Sequence, residues 1–122
     1  MEKNLHAKLT IRLYRENKCF GPGIAELLER VEVHHSLRAA AQSMNMAYSK
    51  AWTMVRSCEA ELGRKLLVYS TGGRNGGGAA LTEDAARLLA GYRAYCKALE
   101  DQGEALFQSY FGPFLDGTGE SL

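Results

Sequence analysis

Leu5, Ala7, Leu9, Ile11 and Leu13 alternate with His6, Lys8, Thr10, Arg12 and Tyr14. Successive strand side chains point to opposite faces, so this period predicts a half-buried strand. Glu16-Asn17-Lys18 reads as a turn and Cys19-Phe20 as a short return strand, a β-hairpin over 5–20. The period then changes. Gly21-Pro22-Gly23 opens a helix over 22–33, with proline in the first turn, where no N–H partner is lost. Ile24, Leu27, Leu28 and Val31 recur at helical spacing, while Glu26, Glu29 and Glu32 take the other side. That is the pattern of a core-packing helix with a solvated acidic face.

Residues 36–62, SLRAAAQSMNMAYSKAWTMVRSCEAEL, predict two helices joined by a tight turn, 36–44 and 47–62. Ser36 suits an N-cap, and Asn45 suits the left-handed conformation that the break requires. Leu37, Ala40, Ala41 and Met44 share an inward face, with Arg38 and Gln42 outward. Ala39, Ala40 and Ala41 let a second helix cross nearby at the steep angle of a helix-turn-helix. In that second helix Tyr48, Ala51, Val55, Cys58 and Leu62 share one face, and Ser49, Lys50, Thr53 and Arg56 lie opposite. The polar set holds donors and acceptors and no acid, as reading a DNA major groove requires. The plainer alternative is an ordinary solvated face. Trp52, at the edge between the faces, reads as a core anchor.

Gly63 stops this helix. Leu66 to Tyr69 and Ala79 to Leu81 then read as short strands around a glycine-rich loop that carries Arg74 and Asn75, giving a wing over 65–81. Arg74 at its tip can reach a phosphate or the minor groove, with Arg64 and Lys65 at its base. The loop lacks the GK[ST] ending of a nucleotide-binding P-loop. Thr82 caps a last helix, 82–111, with Glu83 and Asp84 at its positive end. Ala85, Tyr92, Leu99 and Leu106 repeat every seven residues, and Leu89, Cys96, Gly103 and Tyr110 form a second series. A helix of this length needs a partner for its second half, and a second copy of the chain is the obvious one. Leu89, Tyr92, Cys96, Leu99, Leu106 and Tyr110 are the expected contact residues. Phe107, Tyr110, Phe111, Phe114 and Leu115 form a terminal aromatic cluster that must fold back or join that contact. Residues 117–122 read as a frayed tail.

With 122 residues and 46% hydrophobic content, one domain over 1–116 is expected. Net charge is only +1, but it is unevenly spread. Residues 33–82 carry six bases and two acids, and residues 101–122 carry four acids and no base. One basic face and an acidic tail follow. The three cysteines are scattered and no Cys/His cluster has metal-ligand spacing, so free thiols and no metal are expected. His34 and His35 read as a solvated helix end. No nucleophile, base and orienting group can be named together, so neither an enzyme nor a cofactor is expected. A leader peptide and a membrane span are likewise not expected, and the chain reads as cytoplasmic.

Three stretches, FGPGIAELL, SLRAAAQSMNMAYSKAWTMV and TGGRNGGGAALTEDAARLL, resemble the N-terminal DNA-binding domain of ModE-type molybdate-responsive regulators. The resemblance runs from Phe20 to Tyr92. It implies a mainly α fold with small β: a winged helix-turn-helix with an N-terminal hairpin and a long C-terminal dimerisation helix. It further implies a homodimer that controls transcription from a palindromic duplex DNA operator. On those grounds Tyr48, which periodicity places inward, joins Ser49, Lys50, Thr53 and Arg56 at the groove, with Arg74 on the wing. Two departures stand out. Ala47 occupies a position where the family often has a capping serine, and the chain ends where the family continues into a molybdate-binding domain. A stand-alone regulator is therefore expected, with a separate small-molecule effector left open. A protein-interaction module that kept the fold without DNA binding is the alternative.

Overall fold

The computed structural model describes residues 4–71 and 77–116. They fall into two compact units, one within residues 11–92 and the other made of residues 4–10 with 93–116. In the first unit the elements are β1 (Leu13–Tyr14), β2 (Lys18–Phe20), α1 (Pro22–His34), α2 (Leu37–Ser43), α3 (Tyr48–Leu62), β3 (Leu67–Ser70) and β4 (Gly78–Leu81). α4 (Glu83–Leu115) supplies its first turns to this unit and the rest to the other. This is a winged helix-turn-helix.

The predicted hairpin is much shorter than the alternation implied. Only Leu13–Tyr14 and Lys18–Phe20 pair, with an irregular register between Leu13 and Tyr14. A strand needs a ladder partner as well as a period of two, and the three-residue β2 offers few rungs. Residues 4–12 accordingly lie outside any strand.

The core of the first unit is built from α1, α2 and α3. Leu27, Leu28, Val31, Val55, Cys58 and Leu66 are fully buried. Of the small residues expected at the crossing, Ala40 and Ala41 have no exposed surface and Ala39 is half-buried; Ala51 of α3 is also fully buried. Phe20 packs edge-on against Tyr92, with ring centroids 5.1 Å apart, and the Tyr92 hydroxyl donates to the Ile11 carbonyl at 2.7 Å. Leu89 and Tyr92, expected between copies, are therefore core residues of a single chain, 7% and 4% exposed. The heptad spacing was real, but its first turns face α4's own domain.

The ends of the helices are set by local chemistry. Ser36 Oγ accepts from the Ala39 amide at 3.0 Å, and Thr82 Oγ1 accepts from the Ala85 amide at 3.0 Å. Asn45 adopts φ 54° at the turn, and Gly63 closes α3 at φ 69°. His35 also turns left-handed after α1 (φ 59°) and leaves its carbonyl to accept from Ala79 of β4 at 3.0 Å. That bond fastens the wing to the end of α1. Ala47 makes no side-chain cap for α3, a cost of about 1 kcal/mol against serine.

Two α3 carboxylates act as clamps. Glu61 Oε2 accepts from the Glu16 and Asn17 amides at 2.8 and 3.0 Å, and its Oε1 accepts from Asn17 Nδ2 at 3.3 Å. Glu59, buried, accepts from the Leu66 and Leu67 amides at 2.8 and 3.4 Å.

In the second unit, Leu9 packs over Gly103, where a Cβ would sit 3.6 Å from the leucine Cδ1. Phe107 is buried and stacks with Phe111 at 5.0 Å. α4 continues past Pro113, the Asp116 amide still reaching the Gly112 carbonyl at 2.9 Å. The helix thus ends at Leu115 rather than near Phe111. The predicted tail, 117–122, lies outside the described residues.

Two predictions follow from this packing. The backbone amides of Asn17 and Glu16 lower the Glu61 pKa below its ordinary value of 4.5. A depressed carboxylate pKa stabilises the fold above the unfolded value, and that gain is lost as pH falls through the folded one. Wild type should therefore lose stability on acidification below about pH 4.5 more steeply than Glu61→Gln. Parallel denaturation curves across that range would refute the clamp.

The second concerns the thiols. Cys19 and Cys58 are buried with sulfurs 3.8 Å apart, and all three cysteines are free. Burial, then the neighbouring Cys19, pushes the Cys58 thiol up to about 12. The thiolate is the reactive form, so at neutral pH iodoacetamide should modify the half-buried Cys96 and spare Cys58 until the chain unfolds. Peptide mass spectrometry reads this directly, and equal labelling rates would contradict it.

Candidate nucleic-acid interface

α3 turns Ala51, Val55 and Cys58 inward and leaves a crest of polar residues outward. Ser49, Lys50, Thr53 and Arg56 are all exposed, as the spacing predicted. Tyr48 settles between its two readings. It is half-buried, and the Arg38 guanidinium from α2 lies 4.2 Å above its ring. Trp52 is not the expected core anchor. It is 43% exposed, and the Arg56 guanidinium lies 5.2 Å from its ring centroid. The interior at this point is already filled by Ala51 and Val55. The remaining place for the indole is the surface, where the cation covers it.

β3 and β4 form the wing, paired antiparallel from Leu67 with Leu81 to Ser70 with Gly78. Gly77 is required here, because a Cβ would collide with the Ser70 carbonyl. Arg74 and Asn75, expected at the tip, lie outside the described residues. Val68 and Tyr69 of β3 are exposed. The Tyr69 phenol is raised chiefly by partial burial, then by Glu59 and Tyr48, with Arg56 opposing. β3 thus runs beside the Arg56 side of α3.

At the base of the wing, Arg64 donates to Asp84 at 3.2 Å. Both side chains are well exposed, so this pair holds Arg64 only weakly. Lys65 is exposed and its carbonyl accepts from the Thr82 hydroxyl at 2.7 Å. Arg56, Arg64 and Lys65 come together around a hollow of about 260 Å³.

On the other side of α3 lies a larger groove of about 770 Å³, lined by Ser49, Lys50, Thr53 and Ser57. Its opposite wall carries Arg12 and Lys18. Sequence reasoning missed both. Arg12 read as one polar position in the alternation and Lys18 as a turn residue, and only the fold brings them beside α3.

The contact residues expected on α4 divide. Leu89 and Tyr92 are internal, Cys96 and Leu99 are half-buried, and Leu106 and Tyr110 are exposed. Among the described residues no helix is long and apolar enough to cross a membrane, and no cluster of three metal-ligating side chains occurs.

The family of bacterial regulatory helix-turn-helix proteins of the lysR type matches residues 25–86, which contain α2, α3 and the wing. The chain is 37% identical over 87 residues to the transcriptional regulator ModE of Haemophilus influenzae, covering 71% of this chain and 34% of that protein. It is 36% identical over 84 residues to the molybdenum transport protein ModE of Azotobacter vinelandii, covering 66% and 31%. The molybdenum-pterin-binding protein MopA of Rhodobacter capsulatus is 33% identical over 66 residues, 54% and 25%. The matches thus span about a third of these relatives' length or less. With its helix-turn-helix and wing inside the matched region, the chain belongs to the lysR family of bacterial regulatory helix-turn-helix proteins.

Proposed function

We propose that this chain regulates transcription by binding duplex DNA in a sequence-specific manner, with α3 in the major groove. The observation that carries this is the acid-free crest of α3, Ser49, Lys50, Thr53 and Arg56, exposed on a helix whose other face is buried. Hydroxyls and cations of this kind match base edges and phosphates. The two α3 acids are occupied at its far end, so they do not repel a polyanion at its start. Tyr48 contributes through its stack with Arg38, and Arg64, Lys65, Arg74 and Asn75 supply the wing side.

DNA binding that weakens steeply with salt is expected, because each neutralised phosphate releases counterions. Lys50→Ala/Arg56→Ala should weaken binding to mixed-sequence duplex about ten-fold or more at moderate salt. The same double variant should lose discrimination between sites. Wild type that fails to bind even at low salt would overturn this reading and favour a protein partner for the same face.

The chain acts in this reading as a homodimer. Support comes from the outer half of α4, where Leu106, Tyr110 and Phe114 are exposed, the last two 76% and 69%. A contiguous apolar face of this kind is costly to leave in water. Tyr110→Asp/Phe114→Asp should halve the mass seen in sedimentation without lowering the melting temperature of the single chain. An unchanged mass would remove this face from the contact.

A further inference from the structure

The two basic hollows lie on opposite sides of α3. Arg56, Arg64 and Lys65 surround one. Arg12, Lys18 and Lys50 line the other. Between them runs the crest of Ser49 and Thr53. A helix lying in a major groove has a phosphate backbone on each flank, because the groove is about 12 Å wide and bounded by both strands. The wing accounts for one flank. The groove beside α1 is placed where the other strand would pass.

We propose that this groove is a second phosphate-contact surface, in which Arg12 and Lys18 neutralise backbone phosphates of the strand opposite the wing. The proposal rests on α3 entering the major groove as set out above, and adds residues outside the helix-turn-helix and the wing to the footprint. Three observations carry it. No acidic side chain lines the groove. Among the described residues Arg30 pairs with Glu26, Arg64 with Asp84 and Arg87 with Glu83, whereas Arg12, Lys18 and Lys50, like Arg15, Arg38 and Lys65, have no ion pair. The arginine is also seated by the backbone: a Cβ on Gly21 would come 3.3 Å from Arg12 Cγ. The missing side chain at residue 21 leaves room for the Arg12 stem beside the start of α1. Arg12 and Lys18 on one wall of the groove, with Lys50 and the hydroxyls of Ser49 and Thr53 on the other, fit an anionic strand better than an isolated small anion.

The test is the salt dependence of binding to mixed-sequence duplex DNA for wild type, Arg12→Gln/Lys18→Gln and the charge-matched control Arg87→Gln/Lys97→Gln. Each lost phosphate contact lowers the slope of log K against log salt by about 0.9. The groove variant should therefore flatten the slope by roughly 1.8 per bound copy. It should weaken binding about equally on all sequences, and the control should keep the wild-type slope. Both positions are exposed, so an unchanged melting temperature checks folding. A groove variant with the wild-type slope overturns the proposal while leaving α3 as the reading element. Equal flattening in the control overturns it too, by showing a general charge effect. Wild type without any DNA binding brings down this inference and the function it rests on together.

Discussion

A helix can be offered to a partner only if its opposite face is gripped closely enough to hold its direction. Here the grip rests on alanine. Ala40 and Ala41 on α2 and Ala51 on α3 have no exposed surface. Their size lets the two helices approach closely in a core where Leu28, Val31 and Val55 are also fully buried. A larger side chain at any of the three would have no cavity to enter, and overpacking costs about 1–3 kcal/mol. It would also change the direction of α3, and with it the positions of Ser49 and Thr53. The turn between the helices is equally constrained. Asn45 takes its left-handed conformation, and the Met46 amide returns to the Ala41 carbonyl at 2.9 Å.

The electrostatics depend on where the acids go. A net charge of +1 gives no general attraction to a polyanion. What matters is that acids near α3 are consumed by structure. Glu59 holds the start of β3 with one oxygen and lies 4.0 Å from Arg56 Nε with the other, Glu61 holds the β1–β2 turn, and Asp84 meets Arg64. These contacts remove negative charge from the exposed arc and at the same time fix the wing and hairpin against α3. Stability and surface potential are thus served by the same carboxylates. The field that remains is local, and at physiological ionic strength it reaches only about 8 Å.

Elements whose cause is local were legible in the sequence. Ser36, Asn45, Gly63 and Thr82 act where the caps and turns were expected, because capping depends on residues within a few positions. The inward faces of α1 to α3 also followed from spacing. What was not legible depends on partners distant in the chain. Alternation over residues 5–14 specified two faces but not a ladder partner, so most of the strand is absent. The heptad on α4 specified a stripe but not its neighbour. Phe20 and Ile11 claim Tyr92 from far away in the chain. Trp52 was misplaced for a related reason: at the boundary of a helical face, only the fullness of the core decides which side an indole takes. Arg12 and Lys18 carried no signal at all until β2 and α1 were folded against α3.

The two cations of α3 differ in how they are held, and this separates what each can contribute. Arg56 lies over the Trp52 ring, with its Nε 4.0 Å from Glu59 Oε1. Its guanidinium is a planar fork whose direction is already restricted, so less rotamer entropy, up to about 2 kcal/mol for a free arginine, is left to lose on contact. Restriction of that kind favours a directional partner such as a guanine edge. Lys50 has no such tether. A flexible ammonium is a point charge that follows the nearest phosphate and tolerates changes in base sequence. The sequence placed both residues on one face with the same sign of charge. Their division between direction and charge comes from an exposed tryptophan and a buried glutamate, each within one turn of Arg56.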